Sequence, residues 1–140
     1  MAIHKTYTQG VVYYPTMISA VTVTTTSAAQ TIAGAKGVGI EFSSAAVGAT
    51  MDRVGTMTVE VSMDGGTNFR AYSMLIDNAA NSNSQQLTRV ASKQISATAA
   101  SHLYWFTPET LTGLTHFRVK LTRDTTGTAG TFTVKAVITY

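Results

Sequence analysis

Apolar and polar residues alternate with a period of two along most of this chain. In residues 117–123, Phe117, Val119 and Leu121 fall on one face while Arg118, Lys120 and Thr122 fall on the other. Residues 131–139 repeat the pattern, with Phe132, Val134, Ala136 and Ile138 set against Thr133, Lys135 and Thr139. Such alternation fits a half-buried strand and not a helix. A Gly/Thr-rich turn, residues 124–130, separates these two runs, and the second reaches Tyr140 with no polar tail, which predicts a final strand inside the sheet. Similar runs at 20–26, 37–43, 56–63, 69–76, 87–94 and 101–106 bring the strand count to about eight. Threonine recurs throughout them, and a β-branched side chain suits a pleated, half-buried surface. No window carries a sustained helical stripe with caps, although Thr107 before Pro108 could cap a short turn through Leu111. The prediction is an all-β fold, a jelly-roll-like antiparallel β-sandwich.

Two stretches fall outside the alternation. Residues 77–86 (DNAANSNSQQ) are small and polar, too long for a tight turn, and read as an exposed loop. Residues 1–19 contain Tyr7, Val11, Val12, Tyr13, Tyr14 and Met17 but also Pro15, and they lack strict alternation. They read as an extended N-terminal arm, docked on its own domain or on a neighbouring subunit because a free arm would expose adjacent tyrosines to water. The organisation expected is therefore an arm at 1–19 and a single sandwich domain at 20–140.

Composition narrows the function classes. At 140 residues the chain is long enough to bury a core, and without cysteine it can form neither disulfides nor thiolate metal sites. The net charge is only +3, with ten dispersed Lys and Arg, whereas a nucleic-acid binder carries a denser basic stripe. Only 12% of residues are charged against 44% hydrophobic, less charge than an ordinary monomer keeps for solubility. This balance predicts a surface partly covered by partners. No apolar run is long enough for a membrane-spanning helix, and the first residues lack the apolar core of a signal peptide, so synthesis in the cytoplasm is expected.

Candidate chemistry is sparse. His4, His102 and His116 have no metal-ligand spacing and read as surface or strand-edge residues. Glu41 and Glu60 alternate with core positions and are expected to face solvent, pairing across strands with Lys120 or Lys135. Asp64-Gly65-Gly66-Thr67-Asn68 lacks the spacing of a calcium loop and reads as a turn with glycines at positive φ. Gly34, Gly37 and Gly39 precede a strand rather than a helix, which rules out a dinucleotide phosphate loop. No acid, base, nucleophile or metal set is organised, so neither an enzyme nor a cofactor is expected. In HLYWF, Leu103 and Trp105 share one face and Tyr104 and Phe106 the other, so one pair must leave the core unless the strand is covered on both sides. Trp105 is expected as the core anchor, with Tyr72, Tyr104 and Trp105 as the alternative glycan-stacking or subunit-contact set.

Residues 55–69 (GTMTVEVSMDGGTNF), a strand followed by a DGG turn and an aromatic, resemble a segment of small β-sandwich virion structural proteins of tailed bacteriophages. The closing hairpin, FRVKLTR followed by a Thr/Gly turn and TFTVKA, is similar to that of the same proteins. The resemblance implies a non-enzymatic capsid decoration or cement protein that binds the major capsid protein or other virion subunits. It also implies a location in the virion and symmetric assembly as a trimer or dimer. The arm residues Tyr7, Val11, Val12, Tyr13 and Tyr14 are the expected contacts. A carbohydrate- or receptor-binding module and a tail or head–tail connector subunit are the alternatives.

Overall fold

The computed structural model describes residues 10–47, 53–77, 87–90, 92–95, 101–106, 111–124 and 127–140. Tyr7, His4, the 78–86 stretch and Thr107 to Thr110 lie outside them. Among the described residues, thirteen strands form two antiparallel sheets, and helical backbone occurs only at Leu111. The all-β sandwich expected from the alternation is the fold.

Sheet A joins seven strands and sheet B six. The centre of sheet A is β5 (Gly37–Ala45) between β11 (Ser101–Trp105) and β13 (Thr131–Thr139), and it continues through β8 (Met74–Asp77) to β9 (Leu87–Val90). On the other edge of β13 lie β1 (Val12–Tyr13) and β2 (Thr16–Val21). The centre of sheet B is β6 (Gly55–Ser62) against β12 (His116–Arg123). Around that pair lie β3 (Thr25–Thr26) and β4 (Gln30–Thr31) on β12, and β7 (Arg70–Ala71) and β10 (Lys93–Ile95) on β6.

Alternation decides what lies between the sheets. Val38, Ile40 and Phe42 of β5 and Phe132, Val134, Ala136 and Ile138 of β13 face Met57 and Val59 of β6 and Phe117, Val119 and Leu121 of β12, all buried. Each fully buried side chain of this size is worth about 1.5–3 kcal/mol relative to exposure, so the long strands dominate stability.

Three of the four sheet edges are built from two short pieces rather than one long strand: β1 with β2, β3 with β4, and β7 with β10. Along the first, Pro15 lacks a donor but its carbonyl accepts from Ala136 N at 2.9 Å, and Ala20 takes a positive φ of 47° where the register to β13 shifts. Broken, bulged edges resist pairing with another chain's strand. The described part of the residue 1–19 segment is thus an edge strand of its own domain.

Two expected strands are each divided between sheets. The 69–76 run becomes β7 in sheet B and β8 in sheet A, crossing at Tyr72, whose ring stacks on Phe106 at 4.5 Å. The 87–94 run returns the other way as β9 and β10. The expected 20–26 strand is instead β2, begun earlier, and β3, leaving Val23 55% exposed between them.

The DGG turn is organised by one carboxylate. Asp64 Oδ1 accepts from Ser62 Oγ (2.6 Å), Thr67 N (3.2 Å) and Asn68 N (2.9 Å), and Oδ2 accepts from Asn68 Nδ2 (2.7 Å). Gly65 and Gly66 take φ of 75° and 86°, as the turn reading requires. The backbone donor of Asn68, then the Ser62 hydroxyl and the Asn68 amide, hold the Asp64 carboxyl well below its usual range. Its stabilising effect is therefore complete above the unfolded-state pKa near 3.8 and fades as pH falls below it. Asp64→Ala is expected to lower the melting temperature at neutral pH, and the gap to wild type should narrow on acidification below about pH 4. A gap unchanged down to acid pH would contradict this role.

Candidate functional site

The outward face of sheet A carries the surface of greatest interest. Strand register arranges its side chains in rows. Val137 of β13 opposes Gly39 of β5, and Gly39 opposes Trp105 of β11. Tyr13 opposes Ile138, so Tyr14, the next residue along, stands beside Val137 on the outward face. In the adjacent row Thr16 opposes Lys135, Lys135 opposes Glu41, and Glu41 opposes Leu103.

These rows form an open groove of roughly 390 Å³, lined by Tyr14, Gly39, Leu103, Trp105, Lys135 and Val137 among others. Tyr14 is 73% exposed, Trp105 54% and Leu103 53%. Gly39 makes the floor: a Cβ there would stand 3.0 Å from Val137 Cγ1 and 3.6 Å from Trp105 Cδ1. Without that Cβ, the indole leans over bare backbone, the arrangement by which an aromatic covers a glycine in a strand. Lys135 and Glu41 are the charged residues of the groove. The face is thus largely apolar and open to solvent, with single charges within it.

The aromatic run resolves against the expected core anchor. Tyr104 and Phe106 are 2% and 5% exposed, so they take the core and Trp105 points outward. Tyr104 is therefore a core residue and does not display its ring on the surface with Trp105. Desolvation pushes its buried phenol above the ordinary pKa, and its hydroxyl has no hydrogen-bond partner among the described residues. Tyr72 is half-buried against Phe106. Of the arm residues, Val11, Val12, Tyr13 and Tyr14 are all exposed at the sheet edge, and Tyr14 meets Trp105's groove. The residues that sequence reasoning missed are Gly39 and Val137. Val137 left a signal, an apolar residue at an outward position of an otherwise regular strand.

The outward face of sheet B is different in kind. Arg118 Nε donates to Glu60 Oε2 at 2.6 Å, and the guanidinium lies 4.1 Å over the Phe69 ring. Glu60 therefore pairs with its register partner Arg118 rather than with Lys120 or Lys135. The pair is half-buried, and it keeps this face polar. Among the described residues, no three His, Cys, Asp or Glu side chains come together as metal ligands.

No protein-family model matches the chain, and no curated protein matches it. Among solved structures it is similar to the crystal structure of SPBc2 prophage-derived protein YomS, with a TM-score of 0.66. The sequence identity is 13%, and the likeness covers 98% of this chain and 100% of that one. At this identity the likeness is one of fold, extending over essentially the whole of both chains.

Proposed function

We propose that this chain is a non-enzymatic structural protein of a phage virion, a decoration or cement subunit that binds the assembled shell and reinforces it. The observation that carries the proposal is the exposed apolar face of sheet A, where Tyr14, Leu103, Trp105 and Val137 gather around the Gly39 floor. A face of this kind on a chain with so little charge favours a protein that works among other subunits. The full-length fold likeness to a prophage-derived protein supports a phage setting, as does the resemblance of the DGG-turn and closing-hairpin segments to virion proteins. Reinforcement would follow from mass action: a ligand that binds only the assembled lattice stabilises that lattice.

The test is quantitative mass spectrometry of gradient-purified particles from a phage that encodes the chain. A copy number comparable to that of the major shell protein supports a decoration subunit, and a low fixed number moves the chain to the tail or head–tail connector. Absence from particles rejects the virion reading. The exposed Trp105, in a groove shared with Tyr14, also favours a second reading, a glycan-stacking platform. A glycan array with Trp105→Ala as control separates it, since signal that the substitution abolishes would point to sugar.

A further inference from the structure

We propose that the apolar face of sheet A is self-complementary and docks on a second copy of this chain, face to face, about a two-fold axis parallel to the strands and midway between β13 and β5. This takes from the proposed function only that the face is a subunit contact, and it names the subunit.

Two-fold rotation brings a surface onto itself only if the axis lies in the plane of contact, and each row of side chains then meets its own mirror order. With the axis between β13 and β5, Lys135 meets Glu41 of the partner subunit, and Glu41 meets Lys135 of the partner subunit. In the next row Val137 lies over Gly39 of the partner subunit, against the side chains that flank that glycine, Val137 of the partner subunit and Trp105 of the partner subunit. Beyond it Tyr14 meets Trp105 of the partner subunit, an aromatic pair at the periphery. Rows further along set Thr133 against Ser43 of the partner subunit and Thr139 against Gly37 of the partner subunit, all small enough for close approach. Each of these meetings is read directly from the strand register.

Other axes fail on charge. An axis along β5 sets Glu41 against Glu41 of the partner subunit, and one along β13 does the same to Lys135. An axis between β5 and β11 sets Glu41 against Leu103 of the partner subunit, a carboxylate facing an apolar group with no opposite charge across the contact. The interrupted edges point the same way, since edge-to-edge strand addition is obstructed on three of four sides. Two sheets stacked about 10 Å apart with aligned strands repeat the packing already inside the sandwich.

The experiment is light scattering on the purified full chain across a dilution series, with Lys135→Glu and Glu41→Lys made separately. Wild type is expected at twice the 14.8 kDa chain mass. Each single reversal sets like charges face to face and should weaken self-association by about 100-fold, giving the single-chain mass. An equimolar mixture of the two variants should recover the doubled mass as a heterodimer. In that pair the chain carrying Lys135→Glu presents only carboxylates in this row, and the chain carrying Glu41→Lys presents only ammonium groups, so both cross-contacts are again between opposite charges. Mixing repairs no folding defect within either chain, so recovery reports the contact itself. Val137→Arg, which sets a charge among the apolar side chains of the contact row, is the second variant should a reversal fail to fold; it too should give the single-chain mass. A monomeric wild type, a dimer that survives these substitutions, or a mixture that stays monomeric overturns the proposal. A monomer that is nonetheless abundant on particles would overturn the self-contact and leave the virion reading standing. A dimer absent from particles would do the reverse.

Discussion

Phe132→Ala is expected to destabilise the protein by about 3–5 kcal/mol, the range for emptying a buried aromatic site. Phe132 is wholly buried on β13 and stacks on Phe42 with ring centroids 5.9 Å apart. Its ring also reaches across to the other sheet: a Cβ at Gly55 would lie 2.9 Å from Phe132 Cζ and 3.1 Å from Leu121 Cδ1. Gly55 is thus small because Phe132 occupies the space, and truncating the ring leaves a void walled by both sheets. Strand backbones held in two ladders have little freedom to collapse into it. A domain of this size has roughly 5–15 kcal/mol in total, so the loss is a large fraction of it. Urea denaturation should show the midpoint falling steeply at unchanged slope. A loss below about 1 kcal/mol would mean that the ring does not bridge the sheets.

The fold is legible in the sequence where alternation is long and uninterrupted. β13 matches its expected bounds at both ends, and β5, β6, β11 and β12 differ from theirs by no more than two residues at either end. In each of these, one face is buried and a one-residue slip would turn the whole apolar set outward, so the pattern carries strong information. The runs at 69–76 and 87–94 look like single strands because periodicity says which way side chains point and nothing about which sheet a strand joins. The break at residues 72–73 is set by contacts distant in sequence: Tyr72 N bonds Val59 O at 2.8 Å, and its ring stacks on Phe106. Tertiary packing decides such crossings.

The candidate site is half legible. Tyr14 and Trp105 both stand out in the sequence, but in two unrelated readings, an arm and an aromatic platform. They share one groove only because β13 and β5 lie between them in register, placing residues 14, 137, 39 and 105 in one row. No local feature encodes that alignment. The choice between Trp105 and Tyr104 for the core is also beyond the alternation, which offers two equivalent faces. What decides it is Gly39: opposite Trp105 it leaves room on the outward face, while the inward neighbours of Tyr104 are Ile40 and, beyond it, Ala136. An outward Trp paired with a strand glycine is the available signal.

Arg53→Ala is expected to cost about 2–4 kcal/mol, an unusually large loss for a cation that reads in the sequence as one dispersed surface charge. Arg53 is only 6% exposed. Its guanidinium donates to two backbone carbonyls of the β12–β13 connection, Nη2 to Thr128 O at 2.6 Å and Nη1 to Gly130 O, while its own backbone N donates to Ala129 O at 3.0 Å. Gly127 and Gly130, which take φ of 82° and 120°, shape the turn that presents these carbonyls. Truncation removes both charged hydrogen bonds, each worth about 1.5–3 kcal/mol, and takes this donor from the buried Gly130 carbonyl. Arg123 supplies the comparison: half-buried, it donates through Nη2 to one backbone carbonyl among the described residues, Gly127 O at 2.9 Å, so Arg123→Ala should cost nearer to about 1 kcal/mol. Lysine at position 53 offers a compact point charge where a planar fork spans two carbonyls, and it should restore less than half of the loss. Chemical denaturation of the three variants gives the ranking directly. Were Arg53→Ala to fall within about 0.5 kcal/mol of wild type, the closing hairpin would hold its turn through its own ladder and the guanidinium would be incidental.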